Sequence, residues 1–183
     1  MQHIKNTERR YGLVSIFLHW LMAVLIITLL ALGFYMASLP DVGFDALKMK
    51  LIFIHKELGV LVLTLVAFRL IWRFCNVAPV LPPHIPPWQK FASHTVHGVL
   101  YGFMFAQPIT GWLMSSAAGF SVSFFGLFEL PALISPNVHR AHLFSEIHEW
   151  LAYGLIATIC VHIGAAFIHH FIYKDDTLRK ILP

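Results

Sequence analysis

Charge is scarce in this chain. Only 12% of its 183 residues are Asp, Glu, Lys or Arg, while 58% are hydrophobic; soluble domains carry about 25% charged residues. A water-exposed globule is thereby excluded, and the mean hydropathy of +0.72 points the same way. Cysteine is nearly absent. Cys75 and Cys160 stand far apart and neither belongs to a C-x-x-C-H sequence, which excludes thioether-attached haem. They read as small buried thiols. Also missing are an internal repeat, a low-complexity segment and a basic stripe with interleaved aromatics on a polar domain, so nucleic-acid binding has no support. The chain reads as one domain, 1–183, and as a bundle in lipid.

What is present is a set of long apolar runs. About 20 helical residues cross a hydrocarbon core of ~30 Å, and four stretches reach that length: 14–38, 47–73, 92–114 and 147–172. The expected fold class is therefore an all-α membrane protein, a bundle of four transmembrane helices. A further apolar run, Phe120 to Ile134, is shorter and contains Glu129 and Pro131; it reads as a surface-lying or re-entrant segment. The first run is too long for an ordinary signal peptide and lacks a small-residue cleavage pattern. Between spans two and three, Pro79, Pro82, Pro83, Pro86 and Pro87 forbid a continuous helix, because each removes a donor and disfavours helix at the residue before it.

Basic residues near span ends are retained on the cytoplasmic side of a membrane. Lys5, Arg9, Arg10, Arg69, Arg73, Lys90, Lys174, Arg179 and Lys180 fall on one side, and Lys48, Lys50, Lys56 and Arg140 on the other. Both termini are thus expected in the cytoplasm, and the net charge of +4 suits acidic lipid headgroups.

Histidine is rare inside a bilayer unless it serves a site. His148 and His162 lie fourteen residues apart on one expected helix; at about 1.5 Å and 100° per residue they are ~21 Å apart along its axis and ~40° apart around it. One face thus offers a ligand toward each side of the membrane. With the orientation above, His19 matches the depth of His162, and His55 that of His148. Two imidazoles per level suit the two axial positions of a haem iron, whereas structural zinc asks for four converging ligands. Gly59 one turn after His55, and Gly164, Ala165 and Ala166 after His162, leave room for a flat macrocycle. His94 and His97 share a face of span three and are alternative ligands for the cytoplasmic level, or hydrogen-bond partners of a propionate or a quinone. His169 sits at the cytoplasmic interface and suits a quinone headgroup. His170 points away, and His3, His84, His139 and His142 read as solvated residues of loops or tails.

Along nearly its whole length the chain resembles the bacterial cytochrome b561 family, and within it the superoxide oxidase branch. The likeness runs through Phe17-Leu18-His19-Trp20, Ile54-His55, His94-x-x-His97, His148-Glu149, Gly164-Ala165-Ala166 and His169-His170, ending in Tyr173-Lys174-Asp175-Asp176-Thr177-Leu178. The resemblance implies two haem b groups, with His19 and His162 on the cytoplasmic iron and His55 and His148 on the periplasmic one. It implies location in the bacterial inner membrane. It also implies electron transfer between a periplasmic donor, superoxide, and ubiquinone docked near the cytoplasmic haem. Lys48, Lys50, Lys56 and Arg140 are then candidates for an anion funnel, and Arg69, Arg73 and His169 for quinone contacts. Two other classes remain open: an electron-transfer anchor subunit serving a partner dehydrogenase or hydrogenase, and a histidine-lined metal transporter.

Overall fold

The structure, a computed structural model, describes residues 3–40, 45–80 and 85–182. His84, Pro82 and Pro83 lie outside the described residues. Among those described, four long helices form: α1 (Leu13–Ser38), α2 (Ala46–Phe74), α3 (Pro87–Ala117) and α4 (Val138–Phe167), the last running into a π-helical turn, Ile168–Ile172. The expected all-α class is what forms, with one small hairpin between α3 and α4. On length and apolar composition α1, α2 and α4 with its π-helical end are each able to cross a membrane, so the chain is a multi-pass membrane protein. At 31 residues α3 is long enough, but His94, His97, Gln107, Thr110, Ser115 and Ser116 dilute its apolar run.

The helix ends have local causes. The Asp45 carboxylate accepts from the N–H groups of Leu47 at 2.8 Å and Lys48 at 3.2 Å, capping donors that the first turn of α2 leaves unpaired. Pro87 opens α3, where its missing N–H costs nothing. At the other end Gly119, with φ +79°, and Phe120 donate back to Ser116 and Ser115, a left-handed glycine stop. The α4 helix begins nine residues before the expected 147, because the Asn137 side chain accepts from Arg140 N–H at 3.0 Å. His139 and His142 are consequently on the first turns of α4, still exposed, and not in a loop as the sequence suggested.

Large apolar side chains stay exposed along these helices, among them Phe17, Val24, Ile71, Phe91, Trp150 and Val161. In water such a surface is untenable; in a bilayer the medium is itself apolar. The two cysteines correct the expectation of buried thiols, Cys75 just past the end of α2 and Cys160 for the same reason as these side chains. Both are exposed, and Cys160 in mid-α4 is a small apolar group on a surface that meets lipid.

The chain divides into two compact units. One comprises Met1–Met22, Leu65–Phe103 and Gly154–Pro183. In it the N-terminal segment, the connector after α2 and the C-terminal tail are hydrogen-bonded together: Asn6 to Val77 O, Val80 N–H to Glu8 O, Tyr11 N–H to Lys180 O and Arg10 to Leu182 O. The backbone of Ile4 and Lys5 crosses Gly12 so closely that any Cβ there would collide. A Cβ on Gly154 would fall 2.7 Å from Phe103 Cζ. Alanine gains about 1 kcal/mol of helix propensity over glycine, whereas overpacking costs about 1–3 kcal/mol. Gly154→Ala is therefore expected to lower the thermal midpoint, and a raised midpoint would show that Phe103 does not press on α4.

The second unit comprises Ala23–Thr64 and Met104–Tyr153. It contains the hairpin, β1 (Val122–Phe124) against β2 (Phe128–Leu130), with Ser123 opposite Glu129. Phe125 and Gly126 both take positive φ, and Leu127 N–H closes the turn on Phe124 O at 2.9 Å, the two-residue geometry that suits twisted strands. The segment expected to lie on the surface or re-enter is this hairpin. It is tied down by Trp112 Nε1–H to Pro131 O and by Leu133 N–H to Ser116 Oγ.

Candidate functional site

Each unit holds one pair of facing imidazoles. In the first, His19 of α1 and His162 of α4 have ring centres 6.2 Å apart, with planes at 57°. In the second, His55 of α2 and His148 of α4 are 6.3 Å apart, at 73°. Two imidazoles bound to one iron from opposite faces, each with a metal–nitrogen bond of ~2.0 Å and a ring centre ~1.1 Å beyond its nitrogen, hold their centres ~6 Å apart. Both pairs fit that spacing. His97 does not: its ring lies 5.1 Å from that of His162, edge to face, too close for an iron between them. Its Nδ1–H donates to Ser93 O at 2.6 Å, as His94 Nδ1–H does to Lys90 O.

The His55–His148 surroundings orient ligands well. Thr110 has one hydroxyl proton, and it goes to a carbonyl of its own helix, Ala106 at 2.8 Å or Gln107 at 2.9 Å. Toward His148 Nδ1, 3.1 Å away, Thr110 Oγ can only accept. That fixes the proton on Nδ1 and leaves the Nε2 lone pair for a metal. His55 Nδ1 is buried and has no partner, a cost that a protein does not usually leave standing. Glycine makes space for both rings. A Cβ on Gly33 would touch His55 Cε1 at 3.4 Å, and one on Gly111 would press His148 Cε1 at 3.2 Å. Thr110, Gly33 and Gly111 carry no periodic signal in the sequence, because their role depends on contacts between separate helices. Gly59 and Gly164, expected to leave room, each face open space.

The first pair has a cation beside it. Arg69 turns inward, with one guanidinium nitrogen 3.0 Å from His19 Nδ1 and its carbon 6.0 Å from the Tyr101 ring centre. Arginine only donates, so in this arrangement the lone pair of neutral His19 is on Nδ1. A metal held at Nε2 would require the His19 proton on Nδ1, an arrangement in which the Arg69 guanidinium could not also donate to that nitrogen.

Among the described residues no group of three or more His, Cys, Asp or Glu side chains converges on a point. Paired imidazoles match the donor set of six-coordinate haem iron and fall short of the four that a structural zinc demands.

The remaining candidates are spread out. His169 lies on the π-helical turn, its Nδ1 2.6 Å from the Asp175 carboxylate, a partner that sequence reasoning missed. Burial pushes the Asp175 carboxyl up, but hydrogen bonds from Thr177 and His169 outweigh it and hold the group below its ordinary 3.8. Arg73 is exposed at the end of α2. Of the four cations expected as a funnel, Lys48 donates to Leu39 O at 3.1 Å and Lys56 lies 5.4 Å from the Phe120 ring centre. Lys50 and Arg140 are exposed.

Known proteins resemble this chain in sequence. The chain is 35% identical to cytochrome b561 homolog 2 of Escherichia coli over 177 residues, 97% of this chain and 93% of that protein. It is 31% identical to cytochrome b561 homolog 1 of the same organism, over 95% of this chain and 97% of that one. A Yersinia pestis protein named probable superoxide oxidase CybB is 28% identical over 96% of this chain and 97% of its own length. Residues 10–183, which include both imidazole pairs, match the prokaryotic cytochrome b561 family. A membrane chain with this histidine arrangement and that match over nearly its full length belongs to the prokaryotic cytochrome b561 family, whose cofactor is haem b.

Proposed function

We propose that this chain is a dihaem b cytochrome of the bacterial inner membrane, a single domain of four spans with both termini cytoplasmic. Its function is electron transfer between superoxide on the periplasmic side and ubiquinone on the cytoplasmic side. The observation that carries the reading is the pair of imidazole couples with ring centres 6.2 and 6.3 Å apart. In this reading α3 crosses the membrane despite its polar residues.

Haem b, when bound, would supply a one-electron couple, and a pair of histidines holding each group would favour electron transfer over binding of oxygen. His55 and His148 hold the periplasmic group and His19 and His162 the cytoplasmic one, with Thr110 keeping His148 in the ligating tautomer. Lys48, Lys50, Lys56 and Arg140 raise the local concentration of a small anion at the periplasmic face. At the cytoplasmic face His169, Arg69, Arg73, His94 and His97 are the polar groups available to a bound quinone, the arginines as donors to its carbonyl oxygens and His94 and His97, whose Nδ1–H groups are engaged by backbone carbonyls, as acceptors from its hydroxyls. Two superoxide ions give up one electron each and leave as dioxygen; the quinone takes both electrons and two protons. The superoxide reading draws support from the Yersinia relative and the quinone reading from the chemistry of the cytoplasmic-side donors.

The other reading, an anchor subunit passing electrons from a partner dehydrogenase or hydrogenase, is left open by relatives whose names, cytochrome b561 homologs, give no electron donor. One experiment separates the two. Oxidised purified protein mixed with superoxide in a stopped-flow instrument, with ubiquinone-1 present, is expected to show haem reduction within the mixing transient and quinol accumulating at half the superoxide consumed. Haem that stays oxidised while superoxide decays at its spontaneous rate sinks the superoxide assignment and leaves the anchor role.

A further inference from the structure

The π-helical turn at the end of α4 exists for a contact that neither the haem ligands nor the funnel uses. After Ile172 the chain turns back: Tyr173 N–H reaches Ile168 O at 3.0 Å, the five-residue spacing of a π-helical turn, and Lys174 takes φ +53°, a left-handed conformation that costs a non-glycine residue about 1 kcal/mol. The result folds Asp175 back over His169, with Asp175 N–H bonded to His169 O at 3.1 Å. The Asp175 side chain is 3% exposed and that of His169 17%. A carboxylate buried that deeply needs donors for its oxygens. Oδ2 takes one from His169 Nδ1 at 2.6 Å and Oδ1 takes the Thr177 N–H at 2.8 Å. On its flank the His169 ring meets Tyr173 at 5.3 Å, and the Tyr173 hydroxyl accepts from Gln89 at 3.3 Å.

We propose that Asp175 is a positioning residue for His169, holding the imidazole proton on Nδ1 so that Nε2 is the nitrogen that meets a bound quinone oxygen. The inference rests on the quinone reading above. Anchored in this way, the doubly protonated ring donates its Nε2 proton to a carbonyl oxygen as the quinone gains electrons. The neutral ring that remains then accepts from the new hydroxyl. Reduction consumes two electrons from two superoxide ions and two protons, one through His169 Nε2, which is reprotonated from cytoplasmic water, and one from solvent. Asp175 stays ionised throughout and exchanges nothing.

The chemistry of Asp175→Asn makes the test sharp. Asparagine offers one oxygen and one NH2 group where the carboxylate offers two oxygens. The backbone N–H of Thr177 requires the oxygen, so the NH2 faces His169 Nδ1, which must then accept, and the proton moves to Nε2. Nitrogen NMR of ring-labelled protein, with the His169 signals identified by their loss in His169→Gln, is expected to show a proton on Nδ1 in the wild type and the opposite tautomer in Asp175→Asn. Wild-type His169 with its proton on Nε2 alone overturns the inference without any variant. In the second arm, protein reduced and freed of reductant is mixed with ubiquinone-1 and haem oxidation is followed. Loss of an orienting partner on histidine costs about 10–100-fold, so Asp175→Asn is expected to slow oxidation at least ~10-fold at unchanged haem content. Asp176→Asn, which alters an exposed neighbour, is expected to behave as wild type. Oxidation of Asp175→Asn within about twofold of wild type overturns the positioning role. Wild-type protein that quinone fails to oxidise overturns the quinone reading instead, while the tautomer result still decides what Asp175 does.

Discussion

His148→Ala is expected to retain one low-spin haem per chain where the proposed wild type carries two. The substitution removes one imidazole of the pair whose ring centres are 6.3 Å apart, leaves His55 alone, and deprives Thr110 of its donor. A non-covalent haem held by a single remaining imidazole in detergent is lost or becomes five-coordinate and high-spin. The His19–His162 pair lies in the other compact unit, so the haem proposed there is expected to be retained with its low-spin spectrum. His55→Ala gives the same result for the same reason. His139→Ala, on the exposed first turn of the same helix, keeps both haems and controls for general damage to α4. Absorption spectra with a pyridine haemochromogen count check all three. A His148→Ala or His55→Ala protein that retains two low-spin haems removes this pair from the ligand set.

A second large effect concerns encounter with the anion. Changing Lys50, Lys56 and Arg140 together to Glu alters the charge by −6, taking the formal net charge from +4 to −2 and reversing the sign of the periplasmic field in the proposed topology. Focused surface charge raises association rates by about 10–10³-fold, and screening at physiological salt acts beyond ~8 Å. The second-order rate of haem reduction by superoxide is therefore expected to fall at least ~10-fold. Its ionic-strength dependence changes sign as well: salt slows the wild type and speeds the variant. Stopped-flow traces at low and high salt check both. Equal rates and equal salt slopes for the two proteins show that these cations serve only as headgroup anchors. Lys56 is the informative member, because its position beside the Phe120 ring keeps it from extending freely toward lipid headgroups.

What the sequence makes legible here depends on range. The four helices and the proximity of His19 to His162 and of His55 to His148 follow from apolar length and from matched depth, both periodic properties of one segment at a time. Family membership is legible from short motifs in order along the chain. Three features are not. The start of α4 at Val138 depends on a capping side chain, Asn137, placed beyond the apolar run by which spans are recognised. The inward turn of Arg69 onto His19 depends on where two helices meet, and from sequence alone a span-end arginine reads equally well as an anchor. The Asp175 contact depends on a left-handed lysine, a conformation that residue preference argues against. Exposure is the remaining lesson. A scale built on water places cysteine inside, whereas Cys160 sits on the outside of a candidate span, where an apolar medium makes exposure cheap, and Cys75 lies just past the end of α2.

The most direct measurement is a haem count combined with electron paramagnetic resonance of the oxidised, full-length wild-type protein. Two haem b per chain, both low-spin with the signature of paired imidazoles and no high-spin signal, is the predicted result. A single haem, or a second one high-spin with an open axial position, contradicts the account of four histidines holding two irons.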